Sequence, residues 1–143
     1  MYVFQDSIGR LAGEVSRHIG RALVKAFAEK GYDISAKEWG ALSYLYNNKG
    51  MNQNAIKNAV GLDKVGVKRL VDSLEQKKMV KRKVSLSDKR NYVLNLTKFG
   101  NDSYTQLSLI ADEVLLIASK DIEKKEITAA LDVLKRFITN LDE

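Results

Sequence analysis

The apolar residues of this chain keep a helical period over most of its length and abandon it once. Residues 79–100 read MVKRKVSLSDKRNYVLNLTKFG. Val80, Val84 and Leu86 alternate there with Lys81, Lys83 and Ser85, a period of two that belongs to a strand with one buried face. Arg82 takes an inward slot of that alternation, which puts it near the strand edge. A second run from Tyr92 to Thr97 has Leu94 and Leu96 on one face and Val93 and Asn95 on the other. Ser87-Asp88-Lys89-Arg90-Asn91 is the polar turn between them, so the segment reads as a β-hairpin whose apolar residues Val80, Val84, Leu94 and Leu96 fasten it to the body. The expected fold is mainly α with this one small hairpin.

Helical stripes surround it. Ile8, Leu11, Ala12, Val15, Ile19, Leu23 and Phe27 fall at spacings of three and four and predict a first helix from about Phe4 to Lys30, with Gly31 as its C-cap. Ser35 followed by Glu38 is a capping-box signature that opens a second helix over Ala36 to Asn47, carrying Trp39, Leu42 and Leu45. Asn47-Asn48-Lys49-Gly50 is a turn. Asn52 then caps a short helix with Ile56, Ala59 and Val60 that ends at Gly61, and Asp63 caps the next. In that helix Val67, Leu70, Val71 and Leu74 share one face, while Lys64, Lys68, Arg69 and Asp72 lie on or beside the other. After the hairpin, Tyr104, Leu107, Ala111, Val114 and Leu115 mark one long helix. Ile127, Leu131, Leu134, Phe137, Ile138 and Leu141 mark a last one with the cleanest helical period in the chain. The first and last helices each carry an apolar stripe, and packing within one chain satisfies them nearly as well as packing against a second copy.

Composition narrows the function classes. The chain has 143 residues, 45% of them hydrophobic, which is enough for one ordinary domain with a real core. No cysteine is present and His18 is the one histidine, so disulfides, thiolate chemistry and a histidine-rich metal site are excluded. No apolar run approaches the ~20 residues that cross a bilayer, and no secretory leader is legible, so a soluble cytoplasmic protein without cofactor or membrane contact is expected. No Ser/His/Asp set, carboxylate pair with a base, or phosphate-cradling glycine loop is present, so an enzyme is not expected. The net charge is +6, but residues 57–98 hold twelve cations against four carboxylates, a net +8 that leaves −2 for the rest. A basic middle between mildly acidic ends points to a polyanion-binding centre on a scaffold that is not one itself.

Short helix, tight turn through Gly61, basic helix and hairpin, in that order, fit a winged helix-turn-helix. Such a second helix enters the DNA major groove with its N-terminal half, here Lys64, Val65, Gly66, Lys68 and Arg69. Lys68 and Arg69 reach phosphates or guanine acceptors and Val65 a thymine methyl. Gly66 has no side chain to read anything with. Either the backbone approaches DNA there or another element crowds the position.

The segment LDKVGVKRLVDSLEQKKMVKRKVSLSDKRNYVLNLTKFG, Leu62 to Gly100, resembles the MarR family of transcription regulators. The likeness rests on V-x-R-L-V-x-x-L-E at Val67 to Glu75, the Asp-x-Arg turn at Asp88-Lys89-Arg90, and L-x-L-T-x-x-G at Leu94 to Gly100. It implies one domain over 1–143, with a winged helix-turn-helix over 35–100 and helical dimerisation parts at 1–30 and 101–143. It also implies a homodimer on a pseudo-palindromic operator, repression of nearby genes, and release by a small aromatic or anionic effector. By the same resemblance Arg90 enters the minor groove and Asp88 holds it. A regulator that binds double-stranded DNA also expects Lys83 and Lys89 on the same side of the domain as Lys64, Lys68, Arg69 and Arg90. Members commonly carry a glycine before the wing where this chain has Lys77-Lys78-Met79. For an effector, Arg17, His18 and Arg21 on the first helix offer cations, and Trp39, Tyr44 and Tyr46 on the second offer aromatic walls. The competing reading is a winged domain that meets an acidic protein partner through its basic face.

Overall fold

The computed structural model describes residues 1–87 and 92–142. Phe4–Asp6 form a 3₁₀ turn and α1 spans Ile8–Glu29. The helix starts after Ser7 rather than at Phe4, because the Ser7 hydroxyl donates back to the Phe4 carbonyl (2.8 Å) and accepts from the Arg10 N–H (3.3 Å). α2 covers Ala36–Asn47 as expected, opened by a reciprocal capping box: Glu38 N–H donates to Ser35 Oγ and Ser35 N–H to Glu38 Oε1, both at 3.1 Å. β1 is Met51–Asn52, and α3, Gln53–Val60, is capped by the Asn52 side chain, which accepts from the Ala55 N–H. Gly61 ends α3 at φ +66°, a left-handed conformation that glycine adopts without steric cost. α4 runs from Lys64 to Gln76, β2 from Val80 to Val84 and β3 from Tyr92 to Leu96. α5, Lys98–Ala118, and α6, Lys124–Leu141, complete the chain.

The sheet has three strands rather than two. β1 pairs antiparallel with β3 on the side away from β2, in register Met51 to Leu94 and Asn52 to Val93. A two-residue strand has no alternation to announce it, and the sequence reads there only as the exit from a turn. The Gly50 N–H donates to Asn95 Oδ1 at 2.8 Å, which holds that turn against β3. In the hairpin Val80 lies opposite Leu96, Arg82 opposite Leu94 and Val84 opposite Tyr92.

The core draws one or more fully buried side chains from α1 (Phe27), α2 (Leu42), α3 (Ile56), α4 (Leu74), β3 (Leu94) and α5 (Leu107). Burying each from water contributes on the order of 1.5–3 kcal/mol, which commits six elements to one mass. Val67, Leu70, Val71 and Leu74 are all buried, so the inner face read for α4 stands. The hairpin's fastening differs from expectation. Val80 and Leu94 are buried and Leu96 is half-buried, but Val84 is 54% exposed and Leu86 fully so. Beyond the Arg82–Leu94 pair the inward slots of β2 have nothing packed over them among the described residues, so the alternation continues without a core to face. Arg82 itself sits in the middle of β2, not at its end.

No residue of α6 is buried. Its stripe, the most regular in the chain, leaves Phe137 46%, Ile138 60% and Leu141 81% exposed. Leu134, Phe137, Ile138 and Leu141 line an open apolar groove with Met1, Val3 and Ile8, so the two ends of the chain do meet, uncovered.

Candidate nucleic-acid interface

The site begins with the cap of α4. Asp63 Oδ1 accepts the Gly66 N–H at 2.7 Å, which fixes the first turn. With Val67 and Leu70 turned inward, Lys64, Val65, Lys68 and Arg69 are all left exposed on the N-terminal half of the helix. The structure therefore brings the four expected residues of this helix onto one solvent-facing surface. Gly66 is crowded from within: a Cβ there would lie 3.0 Å from Asp63 Oδ1 and 3.3 Å from Leu62 Cβ. The cap and the turn before it explain that glycine without any approach by a ligand.

The far end of α4 aims the hairpin. Lys78 takes the left-handed position that closes the helix, at φ +62°. Its N–H donates to the Glu75 carbonyl (2.9 Å) and the Met79 N–H to the Leu74 carbonyl (3.0 Å), the paired bonds of a Schellman termination, with Met79 and Leu74 both buried. Here a lysine does what glycine does more cheaply, because the hydrogen bonds and the apolar contact are all in place. Met79 is then gripped from the other side. Thr97 N–H donates to the Met79 carbonyl (3.0 Å), Thr97 Oγ1–H donates to the Lys78 carbonyl (2.6 Å), and the same Oγ1 accepts the Gly100 N–H as the cap of α5. A Cβ on Gly100 would stand 2.0 Å from the Met79 oxygen, so no side chain fits. The L-x-L-T-x-x-G pattern is thus the clasp that joins the hairpin's return strand, the end of α4 and the start of α5.

A second tie runs through charge. Asp72 on α4 accepts from Lys68 Nζ at 2.9 Å through one oxygen and from Arg82 Nη2 at 2.5 Å through the other. Those two donors hold the Asp72 carboxyl below its ordinary value, Lys68 contributing most. The Arg82 guanidinium also lies 3.8 Å from Glu75 and 5.7 Å from the centre of the Tyr92 ring, and its Nε is buried with no partner among the described residues. The sequence places Arg82 in an inward slot but not among the DNA-binding residues, because such a slot ordinarily holds an apolar side chain. Its partner Asp72, ten residues earlier, was the available signal.

Lys64, Lys68, Arg82 and Lys57 surround a cleft of about 360 Å³ between α3, α4 and the hairpin, with Gln53 and Asn54 on its rim. Lys57, Gln53 and Asn54 belong to this surface although none was singled out in the sequence. Lys83 does not. Strand alternation sends Lys81 and Lys83 to the face opposite Arg82, where they line a separate depression of about 270 Å³ with Lys49, Asn95 and Asn101. Asp88, Lys89 and Arg90 lie outside the described residues.

The six residues expected around an effector are not brought together. Arg17 and Arg21 line an open groove between α1 and α2 with Lys25 and Lys37, over a floor of Gly20, Val24, Ala28 and Ala36. His18 points into another groove, between α1 and α5, because neighbouring helical positions diverge by about 100°. Trp39 packs between Phe27 (5.3 Å between centroids) and Tyr104 (5.1 Å), with Tyr46 stacked on Tyr104 at 4.3 Å, and so belongs to an aromatic column rather than a pocket wall. Tyr44 is exposed and lines neither groove.

A basic helix capped by Asp63, preceded by a short helix and a left-handed turn and clasped to a β-hairpin, defines the winged helix-turn-helix class. Residues 32–91 match the family model of the MarR family. A transcriptional regulatory protein described for the hcr operon of Thauera aromatica is 32% identical over 98 residues, 64% of this chain and 59% of the relative, so the likeness spans well under two thirds of that protein. A MarR-family regulator from Rhodococcus sp. RHA1 superposes with a TM-score of 0.84 at 22% identity, over 96% of both chains. CouR from Rhodococcus jostii RHA1, bound to p-coumaroyl-CoA, superposes at 0.81 with 22% identity over 96% of this chain and 95% of its own. CouR on a 23-mer DNA duplex gives 0.81 at 19% identity over 94% of each. These likenesses extend the fold across nearly the whole chain, helical ends included.

Proposed function

We propose that this protein is a sequence-specific DNA-binding transcriptional regulator, a repressor that acts as a homodimer on a pseudo-palindromic operator. The observation that carries this reading is the exposed row Lys64, Val65, Lys68 and Arg69 on a helix clasped at its far end to a hairpin. The row enters the major groove, and the hairpin, through Asp88, Lys89 and Arg90, follows into the adjacent minor groove. A narrow minor groove concentrates negative potential, and a guanidinium steered by a carboxylate suits it. CouR, which shares the fold, is a transcriptional repressor solved on DNA, and that supports the reading. The uncovered stripes of α1 and α6 supply the contact between two copies, which sets the spacing of the two half-sites.

Release follows from an anionic effector in the α1–α2 groove. Arg17, Arg21 and Lys25 make no ion pair among the described residues, and they stand over an apolar floor. Cations above carbon fit an amphiphilic anion such as an aromatic acid or its thioester, in line with the acyl-CoA bound by CouR.

Retardation of the protein's own upstream DNA, competed with unrelated duplex over a salt series, tests the proposal. Selective retention is expected, with log K falling by about 0.9 per neutralised phosphate for each unit of log salt. Absence of any sequence preference at moderate salt would overturn it in favour of an acidic protein partner. Arg90→Ala should weaken operator binding roughly ten- to a hundredfold with the oligomeric state intact, and unchanged affinity would remove Arg90 from the interface.

A further inference from the structure

We infer that the back of the hairpin is a second phosphate-binding face, in which Lys49, Lys81 and Lys83 receive the sugar-phosphate backbone of the strand across the groove from the one met by α4. The inference rests on the DNA-binding reading above and adds to it a surface on the other side of the wing.

Three elements deliver the three lysines to one depression. Lys81 and Lys83 are alternate residues of β2 and so share a face. Lys81 lies opposite Asn95 on β3, and Asn95 Oδ1, by accepting from Gly50 N–H, draws the end of α2 and with it Lys49 to the same place. The Asn95 amide N–H₂ has no acceptor among the described residues, and Asn101 completes the rim from the first turns of α5. No carboxylate among the described residues lines the depression. Several exposed cations elsewhere are balanced locally: Arg10 by Glu14, Lys68 by Asp72, Lys98 by Asp102 and Arg136 by Asp132. Lys49, Lys81 and Lys83 make no ion pair among the described residues. Three ammonium groups gathered on polar neighbours repel one another unless an anion of several oxygens lies between them.

The shape selects the backbone of a duplex over a free phosphate. The depression is shallow and bordered by flexible lysines, which act as point charges, without the fork of an arginine or a ring of backbone N–H groups to enclose a small ion. Cations also flank the hairpin on both faces, Arg82 with Lys68 of α4 on one and this trio on the other. An element lying in a DNA groove has a phosphate strand on each side, and the trio supplies the charge for the far strand.

The test is the salt dependence of DNA binding by the full chain, on operator duplexes trimmed to the half-sites and on the same duplexes extended by about ten base pairs at each end. Combined Lys49→Gln, Lys81→Gln and Lys83→Gln should lower the slope of log K against log salt by about 2.7 on the extended duplex, or 0.9 per lost contact, with the preference for operator over random DNA unchanged. A control that neutralises Lys120, Lys124 and Lys135, far from the wing, should leave the slope as it is. An unchanged slope in the first variant while the wild type binds normally would overturn the inference and leave the proposed function standing. A lost sequence preference would also overturn it, by assigning these lysines to base reading. Calorimetric binding of inorganic pyrophosphate by the wild type, abolished in the variant while the DNA slope is unmoved, would give the site to a free anion instead. If the wild type binds no duplex, the proposed function itself falls.

Discussion

Glu38 does two jobs that the sequence shows only by half. Its place three residues after Ser35 announces the capping box, and the box is there. The other half is a tie across 35 and 39 residues to α4, where Ser73 Oγ–H donates to Oε2 at 3.1 Å and Lys77 Nζ donates to Oε1 at 3.0 Å. The side chain is 8% exposed. Burial pushes its pKa up, but the Ser35 N–H, the Lys77 ammonium and the Ser73 hydroxyl together outweigh that, and the carboxyl ends below the ordinary 4.5. A pKa lowered in the folded state means stability that is present above the unfolded value and is lost as pH falls through the folded one. Glu38→Gln should therefore cost about 1.5–3 kcal/mol at pH 7, the range for hydrogen bonds to a charged group. The gap to wild type should close as pH drops from 4.5 downward. Urea midpoints of the two proteins across pH 7 to 3 measure it, and a gap that stays constant with pH would assign the loss to packing alone.

At the scale of elements, what the sequence made legible was whatever depends on neighbours within one helical turn or one strand. The caps at Ser35, Asn52 and Asp63, the left-handed Gly61 and the buried stripe of α4 are local, and each is found where the spacing puts it. What the sequence does not show depends on partners far along the chain. β1 exists because β3 passes beside it, Val84 and Leu86 stay exposed because no described residue reaches over them, and Lys83 parts from Lys64 and Lys68 because strand alternation turns it away. The effector candidates divide in the same way, Arg17 and Arg21 lining one groove and His18 another. The Asp72–Arg82 tie is the consequential case. Asp72 keeps Arg82 fixed across the gap between α4 and β2 and at the same time neutralises Lys68, so it sets both the pose of the hairpin and the net charge of the cleft. Asp72→Asn should tighten binding to random DNA, with a salt slope steeper by about 0.9, the equivalent of one more phosphate contact, while operator preference falls severalfold as Lys68 and Arg82 lose their fixed positions. Fluorescence anisotropy with operator and scrambled duplexes reads both quantities. Weaker binding to both duplexes would instead mark Asp72 as a fold-stabilising residue only.

At the scale of the whole molecule, the single chain leaves its most regular helix uncovered. α6 has an apolar stripe through Leu131, Leu134, Phe137, Ile138 and Leu141, all of it exposed, and α1 adds Ile8, Leu11 and Val15. A helix that brings one apolar face to water gains little from forming, since most helix stability in proteins comes from packing that face. A twofold arrangement lets each copy cover the other with the same residues, and it places every substitution in the interface twice. Ile138→Glu should then cost about 1.5 kcal/mol or more at each of two symmetric positions, about 3 kcal/mol in all, and weaken self-association at least a hundredfold. Sedimentation at micromolar concentration should show a dimer for wild type and a monomer for the variant. Because association stabilises only the folded chain, the wild-type melting temperature should rise with protein concentration, and that of the variant should not. The variant should keep the contacts of α4 with the hairpin, yet bind a full operator little better than a half-site. A wild-type chain that sediments as a monomer and melts at a concentration-independent temperature would refute the twofold arrangement, and with it the spacing of half-sites that it dictates.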